Sequence, residues 1–159
     1  MIKSVPAEPS GLVVEVGPGT GAITHPLLAR LQDPAYYLGI DANDEFLRDL
    51  AHRYPQAAFV HDTVEHLERH LPEDKHAAHI VCSLPWAILA PPLQESILAT
   101  LTHSLQVGGT LATYAYIHGR VAPRARAFRK ALDKHFREVT VSPVILRNVP
   151  PAVVYHCVK

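Results

Sequence analysis

Val13 to Gly21 read Val-Val-Glu-Val-Gly-Pro-Gly-Thr-Gly, an apolar run carrying one acid that breaks into three glycines spaced two apart. The run predicts a β-strand, and the glycines predict a turn that leads from strand to helix with its backbone open to a ligand. Tight turning, close approach of the main chain to a bound group, and close strand-to-helix contact are each obstructed by a β-carbon. A glycine-rich turn with no ligand is the alternative reading of the same residues. Strands alternating with helices along a chain are the signature of a parallel sheet covered by helices.

The rest of the chain keeps that alternation. Short β-like runs near 12–16, 36–41, 57–61, 79–84, 109–117, 138–146 and 152–158 are separated by amphipathic stretches near 20–31, 43–53, 63–70, 91–105 and 123–136. No helix fits between the last two runs, so they predict a hairpin turning at Arg147-Asn148-Val149-Pro150-Pro151, with the seventh strand antiparallel to its neighbours. The expected fold is α/β, a seven-stranded, mostly parallel sheet closed by an antiparallel strand, and 159 residues make one domain. Asn43 and Asp44 suit a helix N-terminus, and Pro91-Pro92 suit a first helical turn, where their missing amides are not needed. Ile97, Leu98, Leu101 and Leu105 predict the buried stripe of that helix.

Composition narrows the class. With 48% hydrophobic and 19% charged residues the chain reads as globular rather than disordered. No run approaches the roughly twenty apolar residues of a membrane span, and Met1 to Pro6 hold no apolar signal core, so a cytosolic location is expected. Cys82 and Cys157 lie in apolar runs and read as free thiols. The eleven histidines include His66 and His70, four apart, which read as a solvated helix face; no metal site is expected. Net charge is zero, yet residues 1–80 carry twelve acids against six bases and residues 81–159 three against nine. An anionic partner would meet the second half.

The glycine turn, five strand-helix units and closing hairpin resemble the class I S-adenosylmethionine-dependent methyltransferases, a Rossmann-like fold, over nearly the whole chain. Gly17, Gly19 and Ala22 also satisfy a dinucleotide-binding pattern, but Glu15 before the turn, the hairpin, and the lack of room for a second domain argue against a dehydrogenase. The resemblance implies S-adenosyl-L-methionine as cofactor. Gly17, Gly19 and Gly21 would bring backbone amides to its methionine and ribose portions, and Glu15 would orient the loop or accept from the methionine ammonium. Asp41, closing the second strand, would accept from the ribose hydroxyls, a charge-assisted geometry. Asp62 would accept from the adenine amino group, with Thr63 and Val64 flanking the ring. Both acids can equally cap helices.

On the acceptor side, Ser83-Leu84-Pro85-Trp86 occupies the place where amino-methyltransferases carry a polar-x-Pro-aromatic loop. With Gly108-Gly109 leading to Tyr114 and Tyr116, and Asn148-Val149-Pro150-Pro151-Ala152 running to Tyr155, it resembles the bacterial phospholipid N-methyltransferases. That resemblance implies Ser83 at the cofactor, Pro85 and Asn148 at the acceptor, and Trp86 and Tyr116 as catalytic aromatics whose π-faces stabilise a developing ammonium by about 1–2 kcal/mol; Arg120, just past the fifth strand, is by position the best single candidate for a lipid phosphate. Trp86 also reads as a core aromatic, and Tyr114 shares a strand face with Tyr116. His118 is a general base by position only; an amine can lose its proton to water.

Phe128, Leu132 and Phe136 form a helical apolar stripe within a stretch bearing Arg124, Arg126, Arg129, Lys130, Lys134 and Arg137. A solvated basic face is one reading, and contact with lipid phosphate at the inner face of a membrane is the other. Related proteins carry one or two helices before the first strand, whereas Pro6, Pro9 and Gly11 predict no helix here. A truncated chain, a lid lent by a second copy in a homodimer, and a soluble amine acceptor are the alternatives left open. Methylation of a phospholipid or small amine leads. Methylation of ribosomal RNA adenine fits less well, because Ser83 lacks a base-gripping amide and zero net charge offers no broad basic face. A cofactor-binding module without turnover is the third reading.

Overall fold

The computed structural model describes residues 1–73, 76–117 and 123–159. Seven strands, β1 (Val13–Val16), β2 (Tyr37–Asp41), β3 (Ala58–His61), β4 (Ala77–Cys82), β5 (Leu105–Tyr116), β6 (Glu138–Val141) and β7 (Ala152–Val158), form one sheet in the order β3-β2-β1-β4-β5-β7-β6. The first five are parallel, and β7 runs antiparallel between β5 and β6. This is the expected α/β, mostly parallel, Rossmann-like arrangement. Strand order reverses between β1 and β4, and open α/β sheets bind ligands at the carboxyl ends of the strands beside such a reversal.

Burial alternates along the central strands. Val14 and Val16 of β1, with Leu38, Ile40, Ile80 and Cys82, enter a large core under α3 (Pro91–Ser104), α4 (Pro123–His135) and the 3-10 segment Val64–His70. Val13, Tyr37 and Val81 face the other way, against Leu27 of α1 (Thr24–Leu28) and against Val5. Glu15 therefore shares a face with Val13 and Tyr37 rather than with Val14. Ile97, Leu98 and Leu101 bury the α3 stripe, and Phe128 and Leu132 that of α4, with Phe136 just beyond its end.

Several boundaries depart from the sequence reading. The helix expected over 20–31 is confined to Thr24–Leu28, because Gly21 sits at φ +88° in the turn before it. The segment expected as a helix over 63–70 is 3-10. The strand expected over 138–146 stops at Val141; Pro143 has no N–H for a ladder, and pairing resumes only as a bridge between Ile145 and Ala152. Leu105, expected to end a helix, instead opens β5. Before the first strand the chain makes a 3-10 turn, Ile2–Ser4. Asn43 accepts from the Glu45 and Phe46 amides at the start of α2 (Asp44–Arg53), and Pro91 opens α3. No helix among the described residues is long and apolar enough to cross a membrane.

Candidate active site

The glycine turn lies at the reversal point, between β1, β2 and β4. Gly17 donates its amide to the Ile40 carbonyl at 2.9 Å. Gly19 follows at φ +53°, with nothing within 4 Å of where a β-carbon would stand, so its backbone faces open space. At Gly21 the demand is packing: a β-carbon would meet Leu50 Cδ2 at 2.6 Å. Asp41 fixes the loop from the neighbouring strand, one oxygen accepting the Gly19 amide at 3.0 Å and the other the Asn43 amide at 2.9 Å. Its carboxylate is thus held in place while keeping lone pairs for a ligand.

Asp41, Asp62, Thr63, Val64 and Glu65 border a cavity of about 210 Å³ closed by Leu84, Leu89 and Ile97. Asp62 is heavily engaged there. Its Oδ1 accepts from the Thr63 amide at 2.7 Å and lies 2.8 Å from His66 Nδ1, while its Oδ2 lies 2.8 Å from His70 Nε2. These donors, His70 and His66 foremost, hold its carboxyl well below the usual carboxylate range. His66 and His70, read as a solvated face, remain partly exposed and both meet Asp62.

Gly17 is shared with a second cavity of about 440 Å³, bordered by Gly19, Thr20, Ser83, Tyr114, Tyr116 and, from the hairpin, Ile145 and Asn148. The Ser83 hydroxyl oxygen is buried without a hydrogen-bond partner among the described residues, as is Glu15 Oε1. Glu15 is 0% exposed, and its Oε2 accepts from the Tyr37 hydroxyl at 2.7 Å. Burial pushes its carboxyl up to about 7, against the opposing pull of the Tyr37 and Thr24 hydroxyls. Glu15 lies beneath the glycine turn and borders neither cavity.

The third cavity, about 180 Å³, opens on the far side of Tyr114 and Tyr116 and is walled by Leu84, Pro85, Trp86, Ile88, Phe128 and Tyr155. The two tyrosine rings meet edge to face at 5.3 Å and separate it from the glycine side. Trp86 is 2% exposed, stacks on Phe128 at 4.3 Å, and donates its indole N–H to Thr113 Oγ1 at 2.7 Å. Only part of its ring is left for a ligand. Asn148 Nδ2 donates to the Pro150 carbonyl at 2.7 Å. Arg120 and His118 lie outside the described residues. Sequence reasoning missed Leu84, which borders both the Asp41 cavity and the apolar one, and the tyrosine that caps Glu15.

The site fits S-adenosyl-L-methionine. A glycine backbone at Gly19 that leaves room beside it, an amide-pinned carboxylate one strand over and a buried unpartnered hydroxyl at Ser83 suit a polar, zwitterionic nucleoside.

Comparison with known proteins points the same way. The profile of a family described as "Methyltransferase domain" matches residues 13–109. An ornithine lipid N-methyltransferase of Singulisphaera acidiphila is 26% identical over 98% of this chain and 80% of its own length. The ribosomal RNA small subunit methyltransferase A of Cupriavidus metallidurans is 34% identical over 58% of this chain and 33% of its own. The N-methyltransferase NodS of Bradyrhizobium japonicum superposes with a TM-score of 0.69 at 11% identity, over 94% of this chain and 85% of that one. Its complex with S-adenosyl-L-homocysteine superposes with a TM-score of 0.66.

Proposed function

The chain belongs to the methyltransferase-domain family and is an S-adenosylmethionine-dependent methyltransferase; from that premise we propose that it methylates the nitrogen of an amine, foremost that of a phosphatidylethanolamine-like headgroup. When bound, the cofactor supplies a sulfonium methyl group that the amine lone pair displaces in line. Everything else falls to the residues of this chain.

Gly17, Gly19 and Gly21 shape the cradle, Asp41 accepts from the ribose, Asp62 and Thr63 border the adenine, and Ser83 offers its hydroxyl to the methionine end. Glu15 acts from below, holding the base of the loop through Tyr37. Tyr116 presents its ring to the acceptor nitrogen, and the accessible part of Trp86, with Pro85, forms the acceptor wall. Both rings favour a developing ammonium over neutral amine by cation–π attraction, and the apolar lining keeps water away. Asn148 borders the methionine-side cavity from the hairpin.

The observation that carries the acceptor class is the pair of cavities meeting at Tyr114 and Tyr116, with an apolar aromatic chamber on the acceptor side. Similarity to an ornithine lipid N-methyltransferase along 98% of the chain supports it. The 34% identity to a ribosomal RNA methyltransferase favours a second reading, a nucleobase acceptor, and weighs against the expectation that nucleic acid plays no part. Incubation with labelled S-adenosylmethionine and, separately, phosphatidylethanolamine vesicles, free ethanolamine and ribosomal RNA distinguishes them. Label in the lipid or the amine supports the proposal; label in RNA alone replaces it with the nucleobase reading. Cofactor binding with no transfer to any of the three would mark a binding module.

A further inference from the structure

Around the mouth of the acceptor side, large apolar side chains stand in solvent. Ile88, on the loop after β4, is 70% exposed, and the hairpin turn between β6 and β7 exposes Val144, Ile145, Leu146 at 74% and Val149 at 91%. Both loops lie at the carboxyl edge of the sheet. Ile88 borders the apolar chamber, Ile145 borders the methionine-side cavity, and Tyr116 borders both. Isolated exposed apolar residues are ordinary, but a group of them around one opening marks a contact surface.

We propose that this rim is a membrane-docking surface: the hairpin turn and the Ile88 loop enter the interfacial layer of an anionic bilayer and set the chamber mouth against the lipid headgroups. It rests on the amine-lipid reading above and names the surface through which that acceptor arrives. Charge selects a bilayer over a protein partner. No Asp or Glu occurs from Ser96 to Leu132 or from Val139 to Lys159. Among the described residues the cations in the rim include Arg147, within the turn, and Arg124, whose Nη1 donates to the Ile88 carbonyl at 3.0 Å. Apolar side chains flanked by guanidinium groups suit an interface of acyl chains below and phosphates above. Pro143, Pro150 and Pro151 each remove an amide that could pair with another strand.

The test is co-sedimentation with vesicles of equal parts phosphatidylcholine and phosphatidylglycerol, using wild type, the double variant Leu146→Asp/Val149→Asp, and Val107→Asp. Val107, 90% exposed near the opposite end of β5, is the control for added charge. Thermal melting and S-adenosylmethionine affinity verify that each variant is folded. The double variant is expected to lose vesicle binding at least tenfold while Val107→Asp retains it, and wild type is expected to bind pure phosphatidylcholine more weakly. Equal binding by wild type and the double variant would overturn the proposal. So would a wild type that binds no vesicle, including one that instead self-associates through this rim in analytical ultracentrifugation. Vesicle binding is measured without methyl transfer, so its loss leaves the amine assignment standing, and failure of transfer leaves the docking result readable.

Discussion

The carboxylate of Asp41 accepts the backbone amide of Gly19 at 3.0 Å across two adjacent parallel strands. One acid thereby fixes the glycine turn from the side while bordering the cavity of about 210 Å³. The turn and its acceptor are built as a unit before any ligand arrives, which lowers the ordering cost of binding.

Asp41→Ala removes that anchor together with the proposed ribose acceptor. Charge-assisted hydrogen bonds contribute about 1.5–3 kcal/mol each, so calorimetry should show cofactor affinity falling on the order of thirtyfold or more. An unchanged affinity would refute the role.

Glu15 predicts a pH dependence of stability. Its folded carboxyl ionises at about 7, against an ordinary value of 4.5, so the folded state holds the proton more tightly than the unfolded state. The contribution of this group to stability is therefore fully present below 4.5, falls as pH rises from about 4.5 to about 7, and is lost above, with an amplitude of about 3 kcal/mol. Urea denaturation across that window should show Glu15→Gln losing this component, so that its stability relative to wild type improves with pH. Parallel curves for the two proteins would contradict the burial account.

Gly39 makes room for the same contact. A β-carbon there would stand 2.7 Å from the Tyr37 hydroxyl and 2.8 Å from Phe59 Cδ1. Gly39→Ala should cost about 1–3 kcal/mol by overpacking. Gly39→Ala combined with Tyr37→Phe should recover little, because Phe59 still obstructs the added carbon; near-complete recovery would place the strain at the hydroxyl alone.

The positions of the strands along the chain were legible because each is an apolar run punctuated by glycine, proline or acid, and the absence of a helical stretch between 138 and 158 dictated the hairpin and its antiparallel strand; their order across the sheet was not read. The glycine turn and Asp41 were legible for a related reason: both are local signals at a strand's end. What could not be read are contacts between side chains distant in sequence. Tyr37 passes over Gly39 to reach Glu15, and Trp86 bonds Thr113 thirty-one positions from Cys82, to whose carbonyl Thr113 donates. Asp62 extends the four-residue spacing of His66 and His70, so this contact was within reach of the sequence, which read the two histidines only as a solvated face. The shortened α1 reflects a left-handed glycine, a conformation that sequence permits but does not impose.

Trp86 separates packing from chemistry. Trp86→Phe forfeits one buried hydrogen bond, about 1–2 kcal/mol, and keeps an aromatic wall; Trp86→Ala opens a void beside Phe128 and should cost about 3–5 kcal/mol. Denaturation midpoints check both. At temperatures where it is folded, Trp86→Phe should transfer methyl groups within about tenfold of wild type, whereas Tyr116→Ala, which weakens one cation–π face worth about 1–2 kcal/mol, should lower kcat by roughly five- to thirtyfold. The reverse ranking would move the acceptor contact from Tyr116 to Trp86.

The most direct measurement is methyl transfer itself, followed by mass spectrometry of the acceptor after incubation with S-adenosyl-L-methionine and phosphatidylethanolamine vesicles. The amine-methyltransferase assignment predicts mono- or poly-methylated headgroup amine, with one S-adenosylhomocysteine formed for each methyl group transferred and both strongly lowered by Asp41→Ala at cofactor concentrations well below the variant's Kd. Cofactor bound normally while lipid and soluble amines remain unmethylated would contradict it.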